Sequence, residues 1–170
     1  YMGMNPTLKM PFKKYALGSV FRDGPVKLGR MREFFQIDPD VVGVKSVIAD
    51  AEIIALARTA FEKLGLDVYC EFNSRKLMDA CMDYADIPEK DRFSAIVSID
   101  KLKKIGEEGV VEELKQKKLT HDQINRLLDC VTEEDFKKKI KKLKKLIKKK
   151  EGIEEIEQLN EYLELMEVKD

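Results

Sequence analysis

The sequence predicts an α+β chain with two regions, residues 1–87 with paired strands and flanking helices and residues 88–170 all helical. Three observations carry that reading. Apolar residues alternate in two stretches before residue 43, they recur every three to four residues in most of the chain beyond it, and after Pro88 glycine is confined to Gly106, Gly109 and Gly152. A chain of 170 residues with 44% apolar content has enough material to bury a core.

From Lys14 to Arg22 the residues Tyr15, Leu17 and Phe21 fall on one parity, and from Arg32 to Val42 the chain is again rich in aromatic and branched side chains. Two paired strands are expected there, joined by a long loop through Asp23-Gly24-Pro25-Val26-Lys27-Leu28-Gly29, whose glycines and proline break both periods. Between Ile48 and Leu64 the positions Ala51, Ile54, Ala57, Phe61 and Leu64 draw the stripe of an amphipathic helix, which Gly65 ends. A short strand is expected over Val68 to Asn73, then a helix from Arg75 to Tyr84 with Ser74 as its N-cap.

Within the helical region, a pair of helix starts is marked. Thr120 with Gln123 makes a capping box flanked by Leu119 and Ile124, and Thr132 with Asp135 makes a weaker one flanked by Val131 and Phe136. Phe136, Ile140, Leu143 and Ile147 form one apolar stripe and Ile153, Ile156, Leu159 and Leu163 another, with Gly152 between them. An antiparallel helical hairpin is expected, its first helix rich in lysine between Lys137 and Lys150 and its second rich in glutamate, so that opposite charges would face each other.

The 32 basic residues are balanced by 32 acidic ones, so the whole chain lacks the charge of a polyelectrolyte binder and any basic surface must be local. No apolar run approaches the roughly 18 residues of a transmembrane helix, no signal-peptide layout opens the chain, and no membrane association is expected. The three cysteines form no CxxC pair and no even set, which fits a reducing, cytoplasmic setting in which they serve as small buried hydrophobes. His121 follows the Thr120 cap with no nucleophile or ligand cluster near it in sequence; it reads as a surface helix residue, and no metal site is expected.

The chemistry is expected in the hairpin. If its second strand is regular, Arg30, Arg32, Phe34, Gln36, Asp38 and Asp40 share one face, and Phe35, Ile37 and Val41 supply the core side. Arginine, an aromatic ring, an amide and carboxylates suit a ligand carrying phosphate, a flat base and an ammonium group. On alternation alone, an ordinary solvated sheet face remains the alternative.

Phe21-Arg22, the loop, and then Arg30, Phe34 and Asp38 in an Arg-xxx-Phe-xxx-Asp spacing resemble motif 2 of class II aminoacyl-tRNA synthetases, in the form found in histidyl-tRNA synthetases. The stretches Asp38 to Gly43, Ala49 to Ile54, Asn73 to Leu77 and Ser98 to Leu102 are similar to the same family, in an order that resembles its archaeal and eukaryotic branch. The resemblance implies a piece of the class II antiparallel sheet with flanking helices, followed by a helical insertion module. It implies that Arg22 contacts the α-phosphate of ATP, that Arg30 reaches the terminal phosphates with Arg32 in the same ATP set, and that Phe34 stacks on adenine. Gln36 and Asp40 match positions that bind L-histidine. Asp23-Gly24 stands where the family commonly has a glutamate.

The implied reaction is activation of histidine by ATP, accompanied by Mg²⁺, and transfer to tRNA-His by an enzyme that is a homodimer at full length. The sequence contains no motif 1, no motif 3, no Arg-Gly-Leu-Asp-Tyr-Tyr segment and no anticodon-binding domain. It also opens at Tyr1 rather than methionine. An internal piece, inactive by itself, is therefore expected. In the lysine-rich helix Lys141, Lys142 and Lys145 are the candidates for tRNA phosphates, against the alternative of a solvated face. The competing function class is a non-catalytic tRNA-binding or synthetase-like regulatory protein.

Overall fold

The computed structural model describes residues 1–168. In chain order the elements are β1 (Phe12–Phe21), β2 (Glu33–Val42), α1 (Ile48–Lys63), α2 (Arg75–Tyr84), α3 (Glu89–Ile99), α4 (Leu102–Gln116), α5 (His121–Val131), α6 (Phe136–Leu146) and α7 (Glu151–Leu165). They group into two compact units, one from Tyr1 to Cys70 together with the chain from Glu161 on, the other from Glu71 to Asn160. The α+β class stands as expected from sequence.

In the first unit β1 and β2 form an antiparallel ribbon in which Lys14 faces Asp40, Ala16 faces Asp38, Gly18 faces Gln36 and Val20 faces Phe34. This is the one sheet among the described residues. Helix α1 packs against β2, Lys13 pairs with Glu52 of that helix, and the helix ends where Gly65 takes a φ of +68° that favours glycine. The strand expected over Val68 to Asn73 does not form, and residues 66–74 are irregular. Their branched and aromatic side chains have strand propensity, but propensity needs a ladder partner and none is supplied.

The core of the second unit gathers α2 to α7. Met82, Ile87, Leu114, Ile124, Leu127, Leu143 and Ile153 are all but fully buried in it; each such side chain contributes about 1.5–3 kcal/mol of burial. Local signals place the helices around it. Ser74 Oγ accepts the Leu77 N–H at 3.3 Å and its own hydroxyl donates to Glu155 at 3.0 Å. At α5 both halves of the capping box are present, with the Thr120 N–H on Gln123 Oε1 at 2.9 Å. At α6 the cap is Asp135, whose carboxylate accepts the Lys138 N–H at 2.8 Å, and not Thr132, which closes α5 by donating to the Leu128 carbonyl. Two helices meet in these few residues, and the hydroxyl is taken by the one that ends.

Gly152 lies in the first turn of α7 and not in the preceding turn. A Cβ there would come within 2.2 Å of the Leu77 backbone nitrogen, so its role is to let α7 approach α2. Of the charges expected to face each other between the last two helices, Lys144 and Glu157 do so at 2.6 Å. Several others look elsewhere: Lys142 to Asp129 of α5, Lys149 to Asp83 of α2, and Glu151 and Glu155 to Lys76 of α2.

Cations hold three carboxylates of this unit below their ordinary range. Lys149 and then Arg92 act on Asp83, Lys101 and the Ser98 hydroxyl on Glu113, and Lys76 on Glu155. Protonation then favours the unfolded chain, whose carboxylates take up protons near their ordinary values. The stabilisation is complete above about pH 4.5 and is lost as pH falls through the depressed folded values. In urea titrations the midpoint should be level from pH 7 to 5 and then drop by on the order of 0.5 M by pH 3, a small effect because the pairs are solvent-exposed. Asp83→Asn should flatten part of that drop.

Candidate active site

The open end of the ribbon is set by the loop between the strands. The Arg22 N–H donates to the Arg32 carbonyl at 2.8 Å, the last rung before the strands part, and Lys27 and Arg30 close the tip with two backbone bonds at 3.2 and 2.9 Å. Gly24 and Gly29 take φ of +141° and +72°, which suit glycine and let the chain fold back. Arg30 and Arg32 lie outside the regular strand, which starts at Glu33. Both nevertheless come to Gly24: Arg32 Nε donates to its carbonyl at 3.3 Å, and an Arg30 terminal nitrogen is 3.8 Å from where a Gly24 Cβ would stand. The guanidinium of Arg22 lies over the Phe34 ring, 4.9 Å from its centroid.

Phe34, Gln36, Asp38 and Asp40 share one face of β2 by alternation. Phe34 and Gln36 are half-buried, the carboxylates exposed. From Phe34 to Asp40 the face runs about 20 Å. Opposite it β1 contributes Val20, Gly18, Ala16 and Lys14, and a Cβ added at Gly18 meets nothing within 4 Å. The middle of the face is thus shallow and open, between a cationic end at the loop and an acidic end at Asp40. Asp40 is paired with Lys14 across the ribbon at 3.0 Å.

The other face corrects an expectation. Phe35 and Ile37, read from sequence as the core side with Val41, are 70% and 67% exposed, while Val41 is half-buried. Alternation shows which residues share a face; which face is covered depends on a further layer, and a two-stranded ribbon does not provide one. Two residues missed from sequence are Gly18, which opens the face, and Lys14, which neutralises Asp40. Neither stands out in alternation, and both follow from the register.

On α6, Lys142 is held by Asp129 at 3.0 Å. Lys141 and Lys145 are exposed and share a helix face with Lys137, four residues apart in turn. His121 is exposed, with its ring Nδ1 2.9 Å from the Asn125 amide. Among the described residues no cluster of three or more His, Cys, Asp or Glu side chains is arranged to hold a metal ion, and no helix is long and apolar enough to cross a membrane.

The family model described as histidyl-tRNA synthetase matches residues 7–170 of the chain. The chain belongs to that family. Histidyl-tRNA synthetase relatives include histidine-tRNA ligase 1 of Bacillus cereus, 41% identical over 143 residues, which are 81% of this chain and 34% of the relative. Histidine-tRNA ligase 2 of Shouchella clausii is 47% identical over 116 residues, covering 68% of this chain and 27% of that protein. Histidine-tRNA ligase of Nanoarchaeum equitans is 41% identical over 132 residues. The crystal structure of histidyl-tRNA synthetase from Nostoc sp. PCC 7120 superposes with a TM-score of 0.84 at 29% identity, over 99% of this chain and 41% of that one. The chain spans roughly a third of the length of the curated relatives it matches.

Proposed function

We propose that the hairpin face is the ATP and L-histidine site of a histidine-tRNA ligase, which forms histidyl-adenylate and then charges tRNA-His. The observation that carries this is the juxtaposition at the loop end: Arg22 over Phe34, with Arg30 and Arg32 gathered at Gly24, on the strand that also presents Gln36 and Asp40. Attack of the histidine carboxylate on the α-phosphate builds negative charge on phosphate oxygens, and a fixed guanidinium stabilises that charge better than reorienting water does. In this reading Arg22 serves the α-phosphate, Arg30 and Arg32 the outer phosphates, and Phe34 offers its ring to adenine. Gln36 and Asp40 receive histidine, whose ammonium group exchanges for Lys14 at the carboxylate. Mg²⁺ accompanying ATP would supply further positive charge to offset that of the phosphates.

Residues 1–87 then belong to the catalytic core and 88–170 to the helical insertion, where Lys141 and Lys145 face tRNA phosphates and Lys142 is engaged by Asp129. Homodimerisation and a cytoplasmic location complete the proposal. The test is histidine-dependent exchange of labelled pyrophosphate into ATP. It uses the 170-residue chain and a chimera in which this chain replaces the matching segment of the Nostoc synthetase. The chimera should exchange with histidine and with no other amino acid, and the chain alone should not. A folded chimera without exchange would overturn the assignment.

A further inference from the structure

The acidic end of the hairpin face already holds an ammonium group. Lys14 on β1 stands directly opposite Asp40 on β2, and its Nζ lies 3.0 Å from the Asp40 carboxylate. Register places the pair, because directly opposite residues of a ribbon share a face. Lys13, one position earlier, belongs to the other face and is paired with Glu52 of α1. Asp38 shares the face with Asp40, opposite Ala16, so that end keeps negative charge with Lys14 in place. The Lys14 and Asp40 side chains are 41% and 49% exposed, which leaves the lysine free to swing into water without disturbing any core.

A lysine side chain ends in a primary alkylammonium, a compact unit charge with three donors. The α-ammonium of an amino acid is the same group on a shorter stem. Asp40 has lone pairs for both, but two ammonium groups on one carboxylate would stand about 4 Å apart and repel, so gaining one favours losing the other. We infer, on the reading of Gln36 and Asp40 as the histidine end of the face, that Lys14 is a built-in surrogate for the substrate ammonium and sets the affinity for histidine. It occupies Asp40 until a ligand bringing its own ammonium group displaces it. The apparent affinity of such a ligand is its affinity for free Asp40 multiplied by the fraction of molecules in which Lys14 is away. For an exposed ion pair that fraction is on the order of a fifth to a half. Displacement is complete both in bound histidine and during attack on phosphate, so Lys14 acts on KM and not on kcat. A ligand without an ammonium group leaves the pair closed and is indifferent to it.

The experiment measures histidine-dependent pyrophosphate exchange in the Nostoc chimera with Lys14→Met, which keeps a long apolar stem and removes the charge. KM for histidine should fall about two- to fivefold with kcat held within twofold. As competing ligands, histidinol, which keeps the ammonium group, should bind tighter by the same factor, and imidazole-4-propionate, which lacks it, should bind no better. Lys14→Arg keeps a cation at Asp40 and should hold KM at or above the parent value, and Lys13→Met, a charge lost from the opposite face, should leave it unchanged. A KM that stays put or rises in Lys14→Met overturns the inference, the rise because Lys14 then orients Asp40 for substrate; so does an equal gain for imidazole-4-propionate. Absence of exchange in the parent chimera removes the site itself and this inference with it, whereas exchange with an unaltered KM in Lys14→Met removes this inference alone.

Discussion

Arg22→Ala in the Nostoc chimera should lower histidine-dependent pyrophosphate exchange by about 10²- to 10³-fold, the loss typical of removing one fixed charge-stabilising group. On the proposed assignment of Arg22 to the α-phosphate, the effect should fall mainly on kcat, because the charge there grows as the phosphate is attacked and is smaller in bound ATP. Arg22 is exposed and its side chain lies on the Phe34 face, its one side-chain partner among the described residues, so the variant should melt within a few degrees of the parent. Arg22→Lys keeps the charge but loses the planar fork, and should recover only some of the rate. Exchange within threefold of the parent for Arg22→Ala would remove Arg22 from the chemistry, leaving its contact with Phe34 as a local packing feature.

Gly152→Ala carries the largest stability effect expected. Alanine is the better helix former by about 1 kcal/mol, so propensity alone predicts a gain. Packing predicts the opposite: the new Cβ would stand 2.2 Å from the Leu77 nitrogen and 2.6 Å from its Cα. Those atoms are backbone in the first turn of α2, anchored by the Ser74 cap, and cannot swing aside as a side chain would. Either α7 or α2 must move, disturbing Ile153 and Leu77 in the core. Such overpacking costs about 2–4 kcal/mol net, enough to lower the melting temperature of the helical unit by on the order of 10–20 °C. A change smaller than 3 °C by circular dichroism would mean that the two helices are not held this closely.

Gly152 illustrates what is legible in the sequence and what is not. Signals contained within a few residues read correctly: the Ser74 cap and helix from Arg75 to Tyr84, the Thr120–Gln123 box, the stop at Gly65, and the hairpin with its loop. Each is decided by a local backbone requirement. Features that need a distant partner do not. The Val68 to Asn73 stretch has strand residues without a ladder, and Phe35 and Ile37 have a core pattern without a covering layer. Gly152 reads as a turn in sequence because nothing in its neighbours points to Leu77. Within the site, the order of Arg22, Phe34, Gln36 and Asp40 can be read from spacing and resemblance. The openness over Gly18 and the engagement of Asp40 by Lys14 require the register.

None of the core side chains from Leu77 to Ile156 is also a hairpin residue proposed to touch ATP or histidine. Substitutions in that core change how firmly the helices hold together, and those at Arg22, Phe34 or Gln36 change what the ribbon binds. The two sets of substitutions therefore report on different properties, firmness of the helical packing in the one case and binding in the other.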